Sequence, residues 1–499
     1  MSSRINVKLA RCTGLTARCK RRSSAVHHSV LRSNDAHCIT CCSQRDWLQK
    51  RSISHPCSAM AARLPVLFED IAIAATRIRG GVVRSPVTHS YWLSQLCGCD
   101  VFLKHEQFQF TGSFKERGAR NALMSLSEEK KAKGVVAASA GNHALALSWH
   151  GKQLGIPVSV LMPTVAPLAK RSKCAKFDAN IVVHGDNIGV AKKYAEETAP
   201  FSEMTYVNGY DDPEIIAGAG TMGLELVDQA PDADAYDYIM VPCGGAGLLA
   251  GVALASKTLR PATRVIGVEP RNCASFTAAL EAGEPVPAPT TSTLADGLAV
   301  PTVGGNAFEV ARAHTDEVVI VEESDVALSV LRLLENEKVI VEGGGATGLA
   351  AILPGGPMHK EVQGKRVAVP LCGGNIDVTT LGRVIDRGLA ADCRLVRFVA
   401  EVSDRAGGIA EVTSLLSEHG ASVKDVFHER AWLQSAVDRV QIKFIIECTG
   451  PEPCGNQPVR RVCGSVERRG TGIATPSSRR RVDGVEGDAM IQHERAVKF

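Results

Sequence analysis

The chain is 499 residues long, 45% hydrophobic and 22% charged, ordinary values for a globular protein, and at roughly 100–200 residues per domain the length implies two to four domains. The net charge of +4 is unevenly placed: residues 1–60 hold eleven Lys/Arg against Asp35 and Asp46, residues 449–499 hold nine against six acids, and the stretch 61–448 carries −8. An acidic body with basic ends excludes a basic nucleic-acid stripe on the globular part. The longest uncharged run, Ile239–Ser256, is broken by Pro242 and four glycines, so it reads as strand, turn and helix, and an integral membrane protein is excluded.

Residues 1–60 are rich in Arg, Ser and Cys and poor in acids. They lack the 7–15-residue apolar stretch of a secretory signal and read as a disordered or transit-like extension, with mitochondrial or plastid targeting implied. The competing reading starts the protein at Met60-Ala61-Ala62, in which case the body is cytoplasmic. Six of the sixteen cysteines fall here (Cys12, Cys19, Cys38, Cys41, Cys42, Cys57). Cys38 and Cys41 form a lone CxxC without the second pair a zinc site needs, so no metal is expected. The remaining cysteines are scattered singly apart from Cys97 and Cys99, which is not a disulfide framework and fits a reduced compartment.

From residue 100 apolar strands alternate with helices. Val101–His105, Val135–Ala138, Val158–Met162 and Ile181–His184 read as strands, separated by helices over Lys115–Leu126, Asn142–Leu154 and Ala166–Phe177. Tyr238–Val241 and Val265–Val268 continue the rhythm. Gly134, Gly141, Pro157, Pro163 and Gly185 punctuate the junctions. The pattern predicts an α/β body of two lobes with parallel sheets covered by helices.

Three segments of this body each open a helix. The first is Thr111-Gly112-Ser113-Phe114-Lys115-Glu116-Arg117-Gly118. A helix start disfavours cations, and a partly buried amine there has a lowered pKa and is a better Schiff-base nucleophile, although most single lysines are surface groups. The second, Ser139-Ala140-Gly141-Asn142-His143, directly follows a strand. Helix-start N–H groups with Ser and Asn side chains make a carboxylate or phosphate cradle, or simply a helix cap; His143 taken alone reads more readily as a packing residue. The third, Pro242-Cys243-Gly244-Gly245-Ala246-Gly247-Leu248, is a glycine-rich strand-to-helix turn whose backbone can approach a phosphate closely. It matches neither the dinucleotide fingerprint nor a P-loop.

This ordered set, with Ala295-Asp296-Gly297, Glu342-Gly343-Gly344-Gly345-Ala346 and Leu371-Cys372-Gly373-Gly374-Asn375, resembles the fold-type II (tryptophan synthase β-like) pyridoxal-phosphate (PLP) enzymes, most closely the threonine/serine dehydratases, over about residues 63–392. The resemblance implies that Lys115 forms the Schiff base with the cofactor and that Phe114 lies against it. It also implies that Gly244, Gly245, Ala246, Gly247 and Leu248 hold the phosphate, with Ala246 replacing a glycine but keeping its N–H. Asn142 bonds the ring hydroxyl, and the turn Ser139, Ala140, Gly141, Asn142, His143 seats the substrate carboxylate. Cys372 falls where the family places a neutral partner for the pyridine nitrogen, which makes a milder electron sink and suits β-elimination over transamination; as a residue it also reads as a small buried hydrophobe.

Serine racemases resemble this chain too, but carry Ser at the position of Ala140, and a methyl has no proton to give. Their metal site uses an acid shortly after a Glu-Pro pair; here Glu269-Pro270 leads into Arg271-Asn272-Cys273-Ala274-Ser275, with no acid. Beyond residue 393, the strand Leu395–Val402, the helix Ile409–His419 and the strands Ser422–His428 and Gln441–Glu447 resemble an incomplete ferredoxin-like (α+β) ACT segment. The domains are thus 1–60, a catalytic 61–392, an ACT-like 394–448 and a disordered tail 449–499 containing Arg479-Arg480-Arg481. The expected activity is elimination of water from L-threonine or L-serine, giving 2-oxobutanoate or pyruvate and ammonia. The alternatives are a serine racemase with dehydratase side activity and a non-catalytic amino-acid sensor. A homo-oligomer and an amino-acid or nucleotide effector are implied by the resemblance, with no nucleic-acid or membrane partner.

Overall fold

A computed structural model of the protein describes residues 64–166, 168–231, 236–429, 439–448 and 496–498. The expectations for residues 1–60, for Cys38 and Cys41, and for most of the tail lie outside the described residues.

In chain order the strands are β1 (Val87–Ser90), β2 (Asp100–Lys104), β3 (Val135–Ala138), β4 (Val158–Met162), β5 (Asn180–Val183), β6 (Thr205–Tyr206), β7 (Tyr238–Pro242), β8 (Arg264–Pro270), β9 (Glu317–Val321) and β10 (Arg366–Pro370), followed by β11 (Leu395–Ser403), β12 (Ser422–Glu429), β13 (Arg439–Glu447) and β14 (Ala496–Lys498). They form three sheets. The large lobe has the order β1-β2-β10-β7-β8-β9, parallel except for the edge strand β1, and the small lobe has the wholly parallel order β5-β4-β3-β6. Parallel neighbours need a long crossover connection, which the helices between these strands supply.

The central strands of the large sheet feed two cores. Ile239, Val241, Val265 and Ala368 point to one, and Met240, Ile266, Val268, Val367 and Val369 to the other. This is the double burial that makes parallel strands continuously apolar. Chain order reverses at β7, with β8 and β9 on one side and β10 and β2 on the other, and again at β3, with β4 and β5 opposite β6. Ligands of open α/β sheets bind beyond the carboxyl ends of strands at such reversals. The turn after β7 begins at Cys243 and the turn after β3 at Ser139, so two of the three segments singled out in the sequence lie there.

The C-terminal sheet has the order β12-β13-β11-β14. Along β13 buried and half-buried residues alternate, and Val440, Ile442, Phe444 and Ile446 pack with Val412, Leu415 and Leu416 of the helix Gly408–Glu418. One packed face and one open face is what an antiparallel α+β layer requires. One expectation needs correction. The tail was read as disordered throughout, yet Ala496–Lys498 pairs in parallel with Val399–Glu401 of β11. The edge of β11 left free by β13 presents unpaired N–H and C=O groups, a template for any extended segment in reach.

Candidate active site

Lys115 is the first residue of the helix Lys115–Ser125. The preceding residues are tied to the end of β10: Phe114 N–H donates to Cys372 O at 3.0 Å, and Ser113 bridges to Gly373. Lys115 Nζ donates to Gly209 O at 2.5 Å and lies 5.1 Å from the centre of the Phe114 ring. Burial pushes its pKa down to about 8, against smaller upward pulls from Cys372 and Glu342. Desolvation is the cause of the lowering.

Ser139, Ala140, Gly141 and Asn142 are half-buried at the end of β3, and Gly141 N–H donates to Ser139 Oγ at 3.3 Å. Asn142 begins the helix Asn142–Leu154, so the N–H groups of Asn142, His143 and Ala144 have no intrahelical acceptor. The His143 side chain is buried beside Gly209, its Nε2 lies 3.1 Å from Val207 O, and burial, with the nearby Lys115 charge, lowers its pKa to about 4. Its backbone belongs to the cradle, while its ring is packing. Asn142 Nδ2 donates to Glu342 Oε1 at 2.6 Å, and Asn142 Oδ1 accepts from Asn375 Nδ2 at 2.9 Å. Asn142, Asn375, Lys170 and Asp377 line a cleft at this point.

The turn after β7 is wholly buried, and Ala246 caps the helix Gly247–Leu259 in the left-handed conformation at φ 68°. A Cβ on Gly245 would lie 2.4 Å from the Tyr210 ring, and one on Gly247 would lie 2.1 Å from Tyr210 O. Only glycine fits there, which leaves helix-start N–H groups bare for an anion. Cys372 is 5% exposed, and burial holds its thiol well above its ordinary value, so it is neutral. Ser113 Oγ and Thr111 Oγ1 are buried without a partner. A buried amine, a glycine turn opening a helix, an amide and a neutral thiol at the ends of β3, β7 and β10 have the chemistry to hold pyridoxal phosphate.

Two contributors, Gly209 and Tyr210, have no counterpart among the sequence motifs, and two others, Glu342 and Glu269, take on contacts the motifs do not show. Gly209 and Tyr210 lie between β6 and the helix Pro213–Asp228 and touch the amine and the cradle; the Asn208-Gly209 pair marks a turn but not its partners. Glu342 was visible only as part of a glycine-rich motif. Glu269 accepts from Phe276 N–H at 2.8 Å, from Thr277 N–H at 2.9 Å and from Thr277 Oγ1 at 2.6 Å, so its carboxylate serves to anchor the helix Ser275–Ala282.

A two-lobed α/β body with this site is that of a fold-type II PLP enzyme. The chain belongs to the pyridoxal-phosphate dependent enzyme family, whose pattern matches residues 78–373. It is 38% identical over 382 residues to the L-threonine ammonia-lyase of Thermotoga maritima, spanning 77% of this chain and 94% of that protein. Among solved structures it is similar to the processed form of threonine deaminase isoform 2 from Solanum lycopersicum, with a TM-score of 0.60 and 30% identity over 64% of this chain and 93% of the other. It is also similar to serine racemase from Dictyostelium discoideum, with a TM-score of 0.59 and 33% identity over 63% and 100%. Among the described residues no helix is long and apolar enough to cross a membrane.

Proposed function

We propose that this chain is a PLP-dependent ammonia-lyase for hydroxy amino acids. It eliminates water from L-threonine or L-serine and yields 2-oxobutanoate or pyruvate with ammonia. The observation that carries the reading is the buried Lys115 amine, which donates to Gly209 O beside Tyr210, the residue packed on Gly245 and Gly247 of the glycine turn. The relatives bearing threonine ammonia-lyase and deaminase names supply the substrate class.

When bound, pyridoxal phosphate supplies an electron sink that acidifies the substrate Cα–H. The rest of the chemistry falls to the chain. Burial lowers the pKa of Lys115 to about 8, so its amine is neutral far more often near neutral pH than that of an ordinary lysine. Lys115 Nζ would hold the cofactor and, once free, would take the α-proton of the substrate. The N–H groups of Asn142, His143 and Ala144 hold the carboxylate, which orients the Cα–H bond. Gly244–Leu248 would hold the phosphate, Asn142 would take the ring hydroxyl, and Phe114 would flank the ring. The Cys372 thiol, held neutral by burial, would offer the ring nitrogen a neutral partner, which suits elimination over transamination.

The catalytic body is 61–392, and the ACT-like segment 394–448 is the place for an amino-acid or nucleotide effector; the chain acts as a homo-oligomer. Purified protein with added cofactor is expected to release 2-oxo acid from L-threonine and L-serine and to show a visible absorbance band. Lys115→Ala is expected to lose the band and at least about 10³-fold in rate. A band retained in that variant overturns the lysine assignment, and absence of 2-oxo acid from both substrates overturns the activity.

A further inference from the structure

Glu342 is a buried carboxylate, 8% exposed, in a site whose other groups carry the reaction described above. Its backbone N–H donates to Gly373 O at 3.0 Å, and its Oε1 accepts from Asn142 Nδ2 at 2.6 Å. A Cβ on Gly373 would fall 2.3 Å from that oxygen, so glycine at 373 is what admits the carboxylate to Asn142. The other end of the same amide is also taken: Asn142 Oδ1 accepts from Asn375 Nδ2, which donates in addition to Thr111 O at 2.6 Å. An ionised carboxylate only accepts. Asn142 must therefore turn its nitrogen to Glu342 and its oxygen to Asn375, keeping one N–H and one lone pair for a ligand.

We propose that Glu342 is a positioning residue: its carboxylate fixes the orientation of the Asn142 amide, and it loses that hold when it takes up a proton. The proposal rests on the reading of this site as a PLP site. The charged form makes a charge-assisted bond to Asn142, of the short length such bonds have, and the neutral acid makes an ordinary one. The groups facing Glu342 decide where the change falls. Burial raises its pKa first, and Asp296 adds to that; the Asn142 bond, Lys170 on the helix Leu168–Ala175 and the Asn375 N–H pull it back, leaving it at about 7. Lys170 and Asp296 are themselves paired at 3.1 Å. Lys115 and Cys372 complete the charged and titratable surroundings. Asn142 is thus held firmly above about pH 7 and loosely below it.

The test compares holoenzyme of the wild type with Glu342→Gln, Glu342→Asp, Asn142→Ala and the double variant Glu342→Gln/Asn142→Ala. Absorbance of the bound cofactor and kcat/KM are followed from pH 5.5 to 9. The wild type is expected to show an acid limb near 7 in both readouts, Glu342→Gln to lack it, and Glu342→Asp to restore it at a shifted pH. At pH 8, replacing the charged acceptor by a neutral one is expected to cost about tenfold in kcat/KM. Adding Glu342→Gln to Asn142→Ala should cost less than about twofold more, because both act through one amide. A limb that persists in Glu342→Gln, or losses that multiply in the double variant, overturns the proposal. If no hydroxy amino acid yields 2-oxo acid, the activity reading falls by itself, and the absorbance titration still decides the role of Glu342.

Discussion

Ala140 lies half-buried between Ser139 and Gly141 in the turn proposed to seat the carboxylate. Its methyl can neither give nor take a proton. Ala140→Ser places a hydroxyl beside the substrate, and a placed acid is worth about 10²–10⁴-fold. The variant is expected to form D-serine from L-serine while elimination continues from Lys115, with chiral chromatography as the check. D-serine no higher than wild type at an unchanged elimination rate would show that residue 140 alone does not set the outcome. Lys115 and the glycine turn were legible because each is a local pattern of residue type and spacing at a helix start. Glu342 was not, because its meaning comes from Asn142, 200 residues away, and the burial that shifts it exists only after the lobes meet. His143 marks a narrower limit: the sequence suggests a packing residue, and the ring is buried, but its partner Val207, 64 residues away, is not visible there.

At the scale of elements, the helix that carries Lys115 is pinned by ions that no strand or helix pattern reveals. Arg117 is fully buried and donates to Glu106 at 2.7 and 2.8 Å and to Glu225 at 2.7 and 2.8 Å. Lys104, also fully buried, donates to Ser85 O, Glu225 and Gln229. The lattice joins β2, the helix Lys115–Ser125 and the helix Pro213–Asp228 one turn away from the reactive amine. Arg117→Met strands Glu106 in the interior, and breaking such a pair costs about 3–5 kcal/mol. Denaturant unfolding should show that loss together with weaker cofactor retention; an unchanged midpoint would refute it. Burial by itself would raise the Glu106 pKa, but Arg117 and Lys104 overcome it and hold the group below its ordinary 4.5. A lowered carboxylate stabilises the fold fully above that value and loses its contribution as pH falls through the lower folded value. The wild type should therefore lose more stability than Arg117→Met on acidification below about pH 4.5. The alternation of strand and helix was readable from residue 100 onward because apolar runs and Gly/Pro punctuation are local. The edge strand β1 was not anticipated: Val87-Thr88-His89-Ser90 is mostly exposed or half-buried and owes its strand form to pairing with β2.

For the whole molecule, the C-terminal sheet has its own core of Phe398, Val402, Val412, Leu415, Phe444 and Ile446, distinct from those of the two lobes. The helix Val378–Ala391 belongs to the catalytic body, since Gly388 lies against Ala327 and Leu331 of the helix Glu323–Arg332. Lys424–Asp386 at 2.9 Å and Arg394 with Glu335 tie the sheet back to that body through partly exposed side chains. Exposed pairs of this kind contribute at most about 1 kcal/mol each and are screened by salt. A chain ending after Asp392 should therefore keep its bound cofactor and its kcat. Its melting temperature should fall by no more than about 2–4 °C per lost pair. Any response to an amino-acid or nucleotide effector should disappear with the sheet. The comparison is a thermal melt and a rate assay on full-length and shortened protein, each with and without effector. Loss of cofactor from the shortened chain would mean that the sheet supports the active site and is not a separable sensor.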